Sequence, residues 1–91
     1  MIVTINVPRV LRVCTGGATE LSVSATTVHE ALGQVKRLYP ALYRNVCDET
    51  GAVRRHINVF VNTDHVRERN GLETTLKAGD MISILPAVSG G

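Results

Sequence analysis

The chain has 91 residues, with ten basic and eight acidic side chains for a formal net charge of +2, and a hydrophobic fraction of 44%. That length allows one small domain with a single modest core, and the near balance of charge predicts neither a nucleic-acid nor a membrane partner. An aromatic content of 3% with no Trp is too little for a base-stacking platform or an aromatic-lined ligand surface. The core is therefore expected to be aliphatic. At the N-terminus Val3, Ile5 and Val7 alternate with Ile2, Thr4 and Asn6, which predicts a half-buried strand ending at Pro8 with the first set facing inward. Val10 to Val13 reads as further extended chain, Thr15-Gly16-Gly17 as a turn, and Thr19 to Ser24 as a second alternating strand. Together they predict an N-terminal hairpin.

Thr27-Val28-His29-Glu30 fits a capping box, in which the Thr hydroxyl and the Glu carboxylate satisfy free backbone donors at a helix start. The helix is expected to run to about Tyr39, with Val28, Ala31, Leu32, Val35, Leu38 and Tyr39 as one apolar stripe. His29, Lys36 and Arg37 then face water, and Gly33 is a candidate point of close helix–sheet approach. Pro40 ends this helix or begins a short second one anchored by Leu42 and Val46. Cys47 to Arg55 is polar, contains Gly51 and reads as an exposed loop.

Ile57, Val59 and Val61 form the inner face of a central strand, with Phe60 outward. Asn62 to His65 is a turn, Val66-Arg67 a short strand, Asn70-Gly71 a second turn, and Leu72 and Leu76 are core positions. Lys77 to Asp80 turns into a final strand in which Ile82 and Ile84 point inward. Met81, Ser83 and Leu85 are then on the outer face, beside Phe60 if the two strands are neighbours. An apolar patch of Phe60, Met81 and Leu85 would suit a docking partner.

The strand reaches Pro86, which cannot donate a ladder hydrogen bond, and passes into Ala87-Val88-Ser89-Gly90-Gly91. A domain of residues 1–86 followed by a flexible tail, 87–91, is expected. Gly90 and Gly91 lack a Cβ, so the tail can enter a narrow channel and present its terminal carboxylate. Cys14 and Cys47 have no metal-ligand spacing, and no metal site is expected. They read as buried or half-buried structural thiols, with Asp48 and Glu49 expected to raise the pKa of Cys47. The histidines show no catalytic arrangement. No apolar run approaches the ~20 residues of a membrane span, and Met1 leads into a strand pattern where a signal peptide would be basic and then apolar. A cytoplasmic location is expected.

One hairpin, one main helix and further strands without βαβ repetition predict an α+β domain with a mixed sheet covered on one face. The same succession, with Gly79-Asp80 before the last strand and Ile84-Leu85-Pro86-Ala87-Val88-Ser89-Gly90-Gly91 at the end, resembles the ThiS/MoaD family of ubiquitin-like sulfur carriers. The likeness spans nearly the whole chain and is nearest the CysO, or cysteine-biosynthesis, type. It implies a β-grasp fold of four to five strands with one main helix across one face. It further implies that an E1-like enzyme uses ATP and Mg²⁺ to adenylate Gly91, and that a sulfur donor then converts it to a thiocarboxylate. The chain itself would be no enzyme and would bind no cofactor. Val88, Ser89 and Gly90 would form the thin approach, and Phe60, Met81 and Leu85 the docking patch. Downstream, a pyridoxal-phosphate-dependent synthase would accept the sulfur and a metalloprotease would release the product. Ser89 stands where many relatives have Ala, and the long Cys47–Arg55 loop favours the cysteine type over the thiamin type. Two other roles of the same tail are a small subunit of molybdopterin synthase and a protein modifier, for which Lys36 and Lys77 would be the chain acceptors. A plain interaction domain would use the outer patch and ignore the tail.

Overall fold

Alternating β-branched residues can bury one face of a sheet while wetting the other, and this chain does so in five strands. The computed structural model describes residues 1–87; the expected tail positions Val88, Ser89, Gly90 and Gly91 lie outside the described residues. Strands β1 (Ile2–Asn6), β2 (Glu20–Ser24), β3 (Ile57–Val61), β4 (Asp64–His65) and β5 (Met81–Pro86) form one sheet in the order β2-β1-β5-β3-β4. β1 and β5 are parallel and the other pairs antiparallel, so the sheet is mixed. β5 is its middle strand. The run 57–61, expected to be central, lies between β5 and the two-residue β4.

Helices α1 (Val28–Leu38) and α2 (Pro40–Val46) carry the other half of the core. Val3, Ile5, Val59, Val61, Ile82 and Ile84 from the sheet pack with Val28, Ala31, Val35, Leu42 and Val46 from the helices in one buried aliphatic cluster. The cap of α1 is close to the expected box. Thr27 Oγ1 accepts the Glu30 N–H at 3.1 Å, but the Glu30 carboxylate reaches one residue further back, accepting the Thr26 N–H at 2.7 Å and the Thr26 hydroxyl at 2.6 Å. Pro40 does start a second helix, its missing N–H falling where a helix has no acceptor to offer.

Several expectations are corrected. Arg9–Thr15 is a 3₁₀ helix rather than extended chain. Leu11 N–H donates to Pro8 O at 2.9 Å, Arg12 Nε–H to Val7 O at 3.1 Å, and Thr15 Oγ1 to Arg12 O at 3.0 Å. β1 and β2 are therefore an antiparallel pair joined by a helical connection. Leu38 falls off the buried stripe, at 47% exposed, and Leu72 packs against the core margin while Leu76 enters it. Gly33 is solvent-exposed and nothing lies within 4 Å of where its Cβ would be, so it permits no close approach. Asp64–His65 form β4, and Val66–Glu68 is a 3₁₀ turn instead of a strand. The 47–55 loop is folded on itself: Cys47 and Val53 form a bridge, and Asp48 Oδ1 accepts the N–H groups of Thr50 at 2.8 Å and Ala52 at 3.2 Å. No helix among the described residues is long and apolar enough to cross a membrane.

Candidate functional site

The two features singled out by the sequence, an apolar outer face and the root of the tail, meet on β3 and β5. Their register is Phe60↔Ser83, Asn58↔Leu85 and Ile57↔Pro86. Side chains alternate along each strand, so Phe60 lies opposite Ser83 with Met81 and Leu85 at the flanking diagonal positions of the same face. The expected trio is thus brought together. Phe60 and Met81 are half-buried and Leu85 is 46% exposed. Thr4 of β1 pairs with Met81, and Ile2, also on the outer face, is 58% exposed. Ile2 extends the apolar surface and was not singled out from the sequence, although its place opposite Val3 in the alternation contained that information.

At the far end of β5, Ala87 N–H donates to His56 O at 2.6 Å, the last described bond before the tail. In an antiparallel ladder the hydrogen-bonded positions alternate. Ala87, Leu85, Ser83 and Met81 therefore turn their backbone groups toward β3, and the Pro86 nitrogen faces the β1 side, beyond the last β1–β5 pair at Asn6↔Ser83. Its missing donor falls where no partner strand remains. Ala87 is thus held by β3 on one side.

The opposite end of β5 is fixed by polar contacts. Lys77 N–H donates to Asp80 Oδ2 at 2.8 Å, Asn62 Nδ2 to Asp80 Oδ1 at 3.1 Å, and Met81 N–H to Asn62 Oδ1 at 3.1 Å. The Lys77 backbone N–H first, and the Asn62 amide second, hold the Asp80 carboxyl below the usual carboxylate value. The register that sets Phe60 between Met81 and Leu85 is thereby pinned.

His65, paired with Phe60 across β3–β4, is a further outer-face residue that sequence reasoning assigned to a turn. Its ring meets the Phe60 ring edge-on, with centroids 5.0 Å apart and an interplanar angle of 68°. Nothing in the local sequence signals this contact, because it depends on the pairing of two strands.

The cysteines do not join this site. Cys47 is 1% exposed and Cys14 half-buried, and both thiols are free. Burial pushes the Cys47 thiol up; the Tyr43 hydroxyl partly opposes this and Asp48 adds to it. Burial, more than the neighbouring acids invoked from the sequence, makes it unreactive. It lies at the base of a groove of about 560 Å³ on the helical side, lined also by Lys36, Tyr43, Arg44 and Arg54. Arg54 is engaged rather than free-standing, its Nε–H donating to Arg44 O at 2.7 Å. No group of three or more His, Cys, Asp or Glu side chains among the described residues could hold a metal.

Comparison with known proteins agrees with this architecture. The chain is 36% identical over 93 residues to the sulfur carrier protein CysO of Mycobacterium tuberculosis, covering all of both chains. The crystal structure of Mycobacterium tuberculosis CysO superposes with a TM-score of 0.86 at 34% identity, over 94% of this chain and 99% of that one. A chain in the crystal structure of the Amycolatopsis orientalis BexX/CysO complex matches with a TM-score of 0.83 at 41% identity, over 98% and 99%. The solution structure of small archaeal modifier protein 1 from Methanosarcina acetivorans gives 0.84 at 35%, over 99% and 96%. The fold is the ubiquitin-like β-grasp. The ThiS family matches residues 5–91, and the chain belongs to that family.

Proposed function

We propose that this chain is a sulfur carrier of the cysteine-biosynthesis type, with the Gly91 carboxylate as the group that carries sulfur. The observation that carries the reading is the extent of the family match, which runs through the diglycine to Gly91, together with full-length identity to a sulfur carrier. A carboxylate is a poor electrophile. An E1-like enzyme would therefore join a Gly91 oxygen to the α-phosphorus of ATP, with Mg²⁺, releasing pyrophosphate. Sulfide attacking the acyl carbon of this adenylate expels AMP and leaves the thiocarboxylate. A persulfide donor would instead leave an acyl disulfide, which a thiol must then cleave.

The chain supplies no base and no metal to these steps. Its contribution is delivery: Phe60, Met81 and Leu85 dock the enzyme, and Val88, Ser89 and Gly90 reach into its channel. A downstream synthase, pyridoxal-phosphate-dependent in the cysteine-type reading, takes up the sulfur, and a metalloprotease releases the product. The likeness to an archaeal modifier protein supports a second reading, in which activated Gly91 forms an amide with a lysine of a target.

The deciding experiment is the intact mass of the chain after incubation with a candidate E1-like enzyme, ATP, Mg²⁺ and sulfide, beside a reaction without ATP. The expected result is exchange of one oxygen for sulfur, localised to Gly91 and dependent on ATP. No gain from an enzyme active on another carrier would overturn the reading for that pairing. Lysine-linked conjugates in place of the thiocarboxylate would favour the modifier.

A further inference from the structure

The structure assigns His65 a positioning role on the docking face: it holds Phe60 and Asn58 in the arrangement that the activating enzyme meets. This deepens the carrier reading and rests on it. Three contacts converge on one imidazole. Arg67 N–H donates to Nδ1 at 3.0 Å, so Nδ1 must be the bare, accepting nitrogen. The ring proton is therefore on Nε2, which lies 3.0 Å from Asn58 Oδ1 and donates to it. The ring packs against Phe60 in the T-shaped geometry favoured by aromatic quadrupoles.

Each contact fixes something different. The Arg67 bond caps the 3₁₀ turn Val66–Glu68 and sets the tautomer. The tautomer dictates that Asn58 turns its oxygen to His65, leaving its amide N–H groups as the donors it can offer elsewhere. Asn58 pairs with Leu85, two residues before Ala87 and the tail. The ring contact restrains Phe60, the largest apolar side chain of the patch. A partner approaching this face thus meets a restrained aromatic and an oriented amide side by side, close to where the tail departs. Little ordering remains to be done on binding, which is the source of the affinity that such a device confers.

The test separates the two hydrogen bonds by substitution, using the full chain and an E1-like enzyme that thiolates it. Both variants lose the ring; His65→Asn can still cap Arg67 but cannot reach Asn58, while His65→Gln can reach Asn58 but gives up the Arg67 cap. Both are expected to raise the KM for the carrier, about three- to tenfold, with kcat unchanged, as loss of the aromatic contact together with one hydrogen bond implies. Phe60→Asp serves as the control for the face itself. Unchanged KM in both His65 variants, with KM raised in Phe60→Asp, overturns the role of His65 and leaves the docking face intact. A fall in kcat alone also overturns it. If Phe60→Asp too has no effect, the docking face is wrong, and if the unaltered chain gains no sulfur from any such enzyme, the carrier reading falls and this role with it.

Discussion

Asn62 closes the β3–β4 turn and opens β5 at once: its amide donates to Asp80 Oδ1 while its oxygen accepts the Met81 N–H, both at 3.1 Å. It does so at φ 55°, in the left-handed region that Asn tolerates better than most residues. Asn62→Ala removes both bonds and keeps the strained backbone, with an expected cost of about 2–3 kcal/mol. Asn62→Gly removes the bonds but relaxes the backbone, and is expected to cost about 1 kcal/mol less. Urea denaturation of the two variants measures the difference; equal losses would remove backbone strain from the explanation.

The outer face predicts a substitution that harms function and spares the fold. Phe60→Asp adds a charge on the half-exposed side of the sheet, away from the aliphatic cluster. On the proposed reading, adenylation by an E1-like enzyme should show a KM raised at least about tenfold, the scale of an interface anchor, with the circular dichroism spectrum unchanged. Unaltered kinetics would count against docking through this face.

Acid should weaken the fold through Asp80. Its pKa is lower in the folded chain than the ordinary 3.8, so ionised Asp80 stabilises the fold above that value and the contribution is lost as pH falls through the folded pKa. Glu30, held down mainly by the Thr26 hydroxyl, and Asp48, held down mainly by the Thr50 hydroxyl, act in the same direction. The melting temperature should be level down to about pH 5 and decline below it. Asp80→Asn, neutral at every pH, should decline less steeply; parallel curves would dismiss Asp80 as a contributor.

Gly33 offers a gain. It lies mid-helix, exposed, with open space around its missing Cβ. Gly33→Ala should stabilise by about 1 kcal/mol and raise the melting temperature by roughly 4–8 °C for a domain of this size. A loss of stability would mean that the position is constrained by something other than helix propensity.

The two thiols should separate on alkylation. In the native chain N-ethylmaleimide is expected to label Cys14 well before Cys47, which should react only on unfolding; equal labelling, read by mass spectrometry, would contradict the burial of Cys47.

The sequence was most informative where structure is local. The alternation of Val3, Ile5 and Val7 and the stripe Val28, Ala31, Leu32 and Val35 predict their buried faces because strand and helix periods are properties of neighbouring residues. The trio Phe60, Met81 and Leu85 was legible on the one condition that β3 and β5 pair, a long-range fact. His65 was not legible for the same reason, since its contacts come from the fold. The segment Arg9–Thr15 misled because Val10 to Val13 read as a continuation of extended chain after Pro8, whereas it is a 3₁₀ helix in which Val10 and Val13 are 69% and 84% exposed. Its 3₁₀ form rests on backbone acceptors met by backbone and side-chain donors, Arg12 and Thr15 among them, which periodicity does not register. Leu38 misled differently: it keeps the helical spacing but is the last residue of α1, where the side chain is exposed.

The proline that ends the middle strand also bears on how copies of this protein treat one another. An extended, apolar strand end with free backbone donors is a template on which another chain can add itself. With Pro86 at the open side of β5, the step where a foreign strand would have to begin offers it no hydrogen. One missing proton at Pro86 denies a second copy its first rung.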